Sequence, residues 1–145
     1  MTSATLPIRV LFVCTHNSAR SQMAEVLLRH KGAGRFDAFS AGTEVARVNP
    51  LTVRVLQEAG FDTSDLRSKS VDEFKGPKFD YVITVCDQAR QACPVFPGSG
   101  ASLHWGYDDP SEATGTDEER LRVFRRVFVA LGERIGRFVT TTQPS

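Results

Sequence analysis

The chain of 145 residues has only three cysteines, an odd number that does not make a disulfide framework. Those cysteines (Cys14, Cys86, Cys93) and the three histidines are scattered with no C-x2-C pair, which leaves no zinc-ligand spacing. Neither charge dominates. Eighteen Lys and Arg against 17 Asp and Glu give a formal charge of +1, which provides neither a basic face for nucleic acid nor an acidic tail. Apolar runs last only a few residues, far short of the roughly 20 that span a bilayer. Met1 to Pro7 has no basic start and no long apolar stretch, so it does not read as a secretion signal, and the expectation is a cytoplasmic protein.

What is present is ordinary globular material: 41% hydrophobic and 24% charged residues, enough for one core without staples. The expectation is a single domain over 1–145, monomeric, with 140–145 a frayed tail. Strands and helices alternate along it. Ile8–Val13 (IRVLFV) suits a strand buried on both faces, and Ala19–Lys31 a helix closed by Gly32 and Gly34. Phe36–Ala41 reads as a second strand, and Asn49-Pro50 as the cap and first position of a helix ending at Gly60. A short helical turn at Val71–Phe74 precedes Phe79–Val85 (FDYVITV), the clearest strand, and Ser102–Trp105 is a fourth. Thr116–Val139 is a long helix with Leu121, Phe124, Phe128, Leu131, Ile135 and Phe138 at helical spacing, its six arginines on the solvated face. Such alternation predicts an α/β three-layer sandwich, a four-stranded parallel sheet with helices on both faces.

Ligands of such sheets bind beyond the carboxyl ends of the strands. Cys14 follows the first strand, Cys86 the third and Asp108-Asp109 the fourth, so the reactive side chains fall on one edge. Cys14-Thr15-His16-Asn17-Ser18-Ala19-Arg20-Ser21 joins a strand to a helix through small and polar residues. Backbone N–H groups of such a loop converge on an anion, with the helix N-terminus adding positive potential. Arg20 can grip two oxygens of a tetrahedral oxyanion through its fork. The same field stabilises a thiolate at Cys14, Ser21 is placed to hydrogen-bond the sulfur, and Asn17 to brace the loop. The substrate-binding set is therefore Thr15 through Ser21.

The segment VCTHNSARSQMAE resembles the nucleophile loop of the arsenate reductases that share the low-molecular-weight protein tyrosine phosphatase fold. The resemblance extends over nearly the whole chain, through Phe39-Ser40-Ala41-Gly42, Val48-Asn49-Pro50, Cys86 with Cys93-Pro94, and Trp105-Gly106-Tyr107-Asp108-Asp109-Pro110. It implies a cytoplasmic enzyme that reduces arsenate to arsenite for detoxification, with phosphate or sulfate as competing oxyanions. Asp109 matches the family's general acid, and Asp108 is the second choice. By the same resemblance Cys86 attacks Cys14 in the thiol–arsenate adduct and Cys93 then attacks Cys86, leaving a disulfide for thioredoxin. No cofactor is tightly bound.

Seven residues of helix would set the Cα atoms of Cys86 and Cys93 roughly 10 Å apart, whereas a disulfide needs about 7 Å or less. The segment between them must therefore unwind on oxidation, helped by Pro94 and Gly98. The chain also departs from the phosphatases: His16 stands for their Gly, Ala19 for Cys, Gln22 for Pro, and Ser111 for the Tyr after Asp-Pro. His16 contacts the oxyanion or tunes the thiolate, or else points to solvent. Some reductases of the family hold potassium near the positions of Asn17, Ser40 and Glu25. Here the connector Arg67-Ser68-Lys69-Ser70 brings a lysine to that place, so no metal is expected. His30 and His104 carry no partner signal and read as structural. The alternatives are a phosphatase of small or aryl phosphates, an arsenate transferase using mycothiol or glutathione, and a non-enzymatic oxyanion or redox sensor.

Overall fold

The computed structural model describes residues 6–93, 96 and 99–142. Four parallel strands, β1 (Ile8–Cys14), β2 (Phe36–Gly42), β3 (Tyr81–Thr84) and β4 (Ala101–His104), lie in the order β2-β1-β3-β4. β1 is central, with Ile8 opposite Phe36 and Val10 opposite both Ala38 and Tyr81. Its seven residues are buried apart from a half-buried Arg9, as expected of a strand covered on both sides.

Each face has its own aromatic packing. On one, Phe138 of α4 (Asp117–Thr141) meets Phe36, Tyr81 and Trp105 at ring-centroid distances of 5.6, 5.1 and 5.5 Å. α1 (Arg20–Lys31) packs on that face against β2 and α4, and α2 (Pro50–Glu58) joins them through Arg125–Glu58 and Arg54–Glu118 ion pairs. On the other face Phe79 is ringed by Phe39, Phe74 and Phe96, with the Arg9 guanidinium 4.8 Å from the Phe39 centroid. A 3-10 turn (Val71–Phe74) and α3 (Asp87–Ala92) cover this second face.

Several boundaries differ from the sequence expectation. Ala19 is the N-cap rather than a helical residue, because the loop before it is a run of bends, with Asn17 left-handed, whose carbonyls bond to other segments. β3 is shorter than Phe79–Val85, and β4 is Ala101–His104, with Trp105 turned into the core beyond it. α2 stops at Glu58, and Gly60 follows at φ 88°. α4 opens with a Thr116–Glu119 capping box and continues to Thr141, so 140 and 141 are helix rather than tail. Thr142 is buried, and Arg35 donates to its carbonyl at 2.8 Å. Val127 is among the buried residues of α4. Phe128 lies half-buried at the edge, against Phe61. Residues 143–145 of the expected tail lie outside the described residues, as do Pro94 and Gly98.

Candidate active site

The loop after β1 is shaped by where its carbonyls go. Those of Cys14, Thr15, His16 and Ser18 accept backbone N–H bonds from Thr43, Glu44, Ala46 and Asn49, at 2.7–3.2 Å. The Asn17 carbonyl accepts from Gln22 Nε2 and Ser68 Oγ. In a trans peptide the N–H points opposite to the C=O. Tethering these carbonyls, four to the 43–49 strap and that of Asn17 to Gln22 and Ser68, therefore turns the following amides, Thr15 to Ala19, to the concave side. α1 begins there with no side-chain cap, so its first N–H groups face the same concavity.

Asn17 is the keystone. It is buried and left-handed (φ 53°), a conformation asparagine tolerates better than most residues. Its Nδ2 donates to Ser21 Oγ (2.8 Å) and Ser40 Oγ (3.0 Å), while its Oδ1 accepts from Lys69 N (2.8 Å) and Gln22 Nε2 (3.0 Å). Ser21 Oγ in turn stands 2.8 Å from Cys14 Sγ. Gly42 supplies the room: a Cβ there would lie 2.7 Å from the Thr15 carbonyl oxygen and 2.9 Å from Asn17 N.

Arg20 lies over this concavity. Its Nη1 donates to the Tyr107 carbonyl at 2.9 Å and its Nη2 approaches Asp109 Oδ2 at 3.5 Å. Its Nε is buried without a protein acceptor among the described residues, a donor available to a bound oxygen. Asp109 caps the 3-10 turn Pro110–Glu112 and accepts from Ser111 N and Oγ, leaving Oδ2 turned toward Arg20. Cys14, His16, Ser18, Ala19, Arg20 and Asp109, with Ser111, line one small cavity. Asp108 is exposed and stands outside it. The donor set of the cavity suits a small tetrahedral oxyanion.

The three thiols are free of disulfides. Cys86, the N-cap of α3, is buried with its Sγ 3.2 Å from Thr15 Oγ1, in contact with the loop that follows β1. Cys93 closes the other end of the helix, half-buried, and burial raises its thiol pKa.

The low molecular weight phosphotyrosine protein phosphatase model matches residues 9–143. The chain belongs to this family. Among its relatives, an arsenate reductase of Halalkalibacterium halodurans is 43% identical over 132 residues, covering 91% of this chain and 95% of the relative. A solved arsenate reductase in the phosphate binding state superposes with a TM-score of 0.76 at 31% identity, covering 94% and 99% of the two chains. A thioredoxin-dependent arsenate reductase of Corynebacterium glutamicum gives a TM-score of 0.69 at 28% identity, covering 97% of this chain and 66% of that one.

In this member of the phosphatase family a lysine occupies the polar pocket behind the loop. Lys69 Nζ is 2.9 Å from the Arg67 carbonyl and 3.5 Å from Glu25 Oε1, and Glu25 also accepts from Ser40 Oγ at 2.7 Å. Desolvation lowers the Lys69 pKa, against the pull of Glu25. His16 is exposed, with Nδ1 held 2.8 Å from the Glu44 carbonyl, while its ring still borders the cavity. Within the expected binding set, Thr15 directs its hydroxyl to Cys86 and Asn17 directs its side chain into the core. Neither side chain lines the cavity. Sequence reasoning missed the Tyr107 carbonyl as the rest for Arg20, the Thr15–Cys86 contact and the close approach at Gly42. Only the last had a signal, a glycine at the end of a strand beside the loop.

Proposed function

We propose that this protein reduces arsenate to arsenite through a relay of its three thiols, with thioredoxin as the external reductant. The loop amides and Arg20 hold the tetrahedral oxyanion, and the Cys14 thiolate attacks arsenic while Asp109 protonates the departing oxygen, which leaves as water. A Cys14–arsenic(V) bond results. The Cys86 thiolate then attacks Cys14 Sγ. The electron pair of the sulfur–arsenic bond passes to arsenic, arsenite leaves, and a Cys14–Cys86 disulfide remains. Attack by Cys93 on Cys86 frees Cys14 and moves the disulfide to Cys86–Cys93, within reach of an external dithiol. Two thiols are oxidised and one arsenic is reduced by two electrons, so the sequence balances.

The observation that carries this reading is Cys86 Sγ at 3.2 Å from Thr15 Oγ1. A second buried thiol beside the oxyanion loop is what two-electron reduction requires, and hydrolysis of a phosphate ester has no use for it. Phosphate and sulfate, with the same tetrahedral shape, compete for the loop. Lys69 supplies a fixed positive charge beside Glu25, and we infer a site that works without potassium. A thioredoxin partner fits the reducing cytoplasm, and we infer a monomer there. Among the described residues no helix is long and apolar enough to cross a membrane.

The test is arsenate-dependent NADPH oxidation with thioredoxin and thioredoxin reductase, for wild type and for Cys14→Ser, Cys86→Ser and Cys93→Ser. Turnover in wild type alone supports the relay. Activity of the Cys86 and Cys93 variants with mycothiol or glutathione would replace it with the single-thiol transferase reading. Hydrolysis of aryl phosphate without arsenate turnover would replace it with the phosphatase reading.

A further inference from the structure

α3 has to exist in two forms if Cys86 and Cys93 are to bond. With Asp87–Ala92 helical, the Cα atoms of the flanking cysteines stand about 10 Å apart, beyond the roughly 7 Å limit of a disulfide. The wound form therefore belongs to the dithiol, and whatever fastens the helix opposes the disulfide. Cys86 makes no side-chain cap of its own, and the first residue of the helix is fastened from outside.

That fastening is His104, the last residue of β4. Its Nε2 stands 2.9 Å from Asp87 Oδ1, and since a carboxylate only accepts, Nε2 is the donor. Its Nδ1 stands 2.7 Å from Thr84 Oγ1, so both ring nitrogens are engaged and the ring is fixed in the plane that reaches Asp87. His104 is largely covered, with 21% of its side chain exposed, whereas Asp87 is 88% exposed and touches the fold through this bond. Gly106 leaves space for the pair: a Cβ at that position would meet His104 Nε2 at 3.2 Å and Asp87 Oδ1 at 3.6 Å. The segment so engaged continues to Tyr107, whose N–H pairs with the Val85 carbonyl and whose own carbonyl holds Arg20.

We propose that His104 is a positioning residue of the thiol relay: its hydrogen bond to Asp87 latches α3 in the wound form and biases the Cys86–Cys93 pair toward the dithiol. The proposal rests on the relay described above. With the latch closed, Cys86 stays at the helix N-cap beside Thr15, ready for its attack on Cys14. With the latch open, the helix unwinds and Cys93 reaches Cys86. The latch also aids regeneration, because rewinding draws the disulfide toward reduction by an external dithiol. Two cysteine thiols give up two electrons and two protons on forming the bond, and an oxidised dithiol takes them up. The latch changes the position of that equilibrium, not its stoichiometry.

The equilibrium is measured on the full chain carrying Cys14→Ser, in dithiothreitol redox buffers, with thiol trapping and mass analysis; no arsenate is involved. Asp87→Ala and His104→Ala are each expected to move it toward the disulfide by about three- to tenfold, the range of one net hydrogen bond. The double variant should move it no further than either single one. His104→Gln, whose amide nitrogen reaches the position of Nε2, should restore much of the wild-type value. In the dithiol state, hydrogen exchange should quicken across 87–92 in the Ala variants and stay unchanged in β1, which separates a latch from general unfolding. Unchanged equilibria in both single variants, or effects that add in the double, would overturn the latch while leaving the relay intact. If Cys86 and Cys93 form no disulfide in any buffer, the relay itself fails and the latch with it.

Discussion

Thr15 Oγ1 and Cys86 Sγ, 71 positions apart in sequence, stand 3.2 Å apart in the fold. Thr15 follows Cys14, the proposed nucleophile, directly, so the contact joins the proposed oxyanion loop to the second thiol of the relay. A hydroxyl donated to a thiolate stabilises it and holds it in line. Thr15→Val should therefore leave formation of the Cys14 adduct close to wild type and slow arsenite release tenfold or more in a single turnover. Thr15→Ser should retain most of the rate. Equal slowing of both steps would show that the loop, and not the hydroxyl, had been lost.

Asp109 and Asp108 are neighbours with opposite surroundings, one facing Arg20 across 3.5 Å and the other exposed. Loss of a general acid costs about 10²–10⁴ in rate. Asp109→Asn should lower kcat into that range with oxyanion affinity, read from phosphate inhibition, changed little. Asp108→Asn should stay within about twofold of wild type, the margin expected of a residue outside the chemistry. The reverse order would transfer the acid role to Asp108.

Gly42→Ala tests the fit between β2 and the loop. The added Cβ would press on the Thr15 carbonyl and the Asn17 nitrogen, which are backbone atoms with no rotamer to yield. Overpacking of this kind costs about 1–3 kcal/mol of stability. A displacement of the loop by a fraction of an ångström should also lower kcat/KM by about 10²-fold. Thermal unfolding reads the first effect and steady-state arsenate reduction the second, and a variant with wild-type kcat/KM would mean that the loop is more compliant than its hydrogen bonds imply.

Burial pushes the Cys93 thiol pKa above the ordinary value. The thiolate is the attacking species, so the fraction able to attack Cys86 is lower than for an exposed thiol at every pH up to that raised value. Transfer of the disulfide from Cys14–Cys86 to Cys86–Cys93 should accordingly accelerate with rising pH. It should still be rising a pH unit or more above about 8.5, where the thiolate fraction of an exposed thiol levels off. Quenched-flow trapping of the two disulfides gives the profile, and a flat one between pH 6 and 9 would contradict it. The same shift makes the folded dithiol hold its proton longer than the unfolded chain, so this group's contribution to stability is full at neutral pH and fades in alkali.

Hydrogen exchange across Asp87–Ala92 should be slower in the dithiol than in the Cys86–Cys93 disulfide, because the bond cannot form across a wound α3. Identical protection in the two redox states would mean that the cysteines meet by some other movement.

Much of this was legible beforehand, for reasons that lie in local chemistry. Asn49-Pro50 marked the start of α2 because the asparagine side chain accepts from Leu51 N and proline needs no donor at the first helical position. The β1–loop–α1 passage was legible because a β-branched strand, a run of small polar residues and a helix lie contiguously in the chain. The missing parts depend on contacts across long stretches of sequence. Phe128 and Val127 are both apolar at adjoining positions, and which of them is buried depends on neighbours far off in sequence, such as Phe61 against Phe128. His104 gave no signal, because its partners Thr84 and Asp87 lie 20 and 17 positions away on other elements. The ammonium of Lys69 was placed near Glu25 by analogy alone, whereas the bond from its backbone N–H to Asn17 Oδ1 had no sequence trace.

The carbonyls of Cys14 to Ser18 are set by the strap at 43–49 and, for Asn17, by Gln22 and Ser68. The oxyanion loop is thus a cast, and its mould is kept about thirty residues downstream. Grafting 14–21 alone into another strand–helix junction would transplant the nucleophile and the arginine without the cavity. A graft would have to carry 40–49 with it, Gly42 included, and also Gln22 and the Ser68-Lys69 pair that fix Asn17. Likewise, a single insertion between Thr43 and Asn49 should reshape anion selectivity without touching any residue that meets the anion.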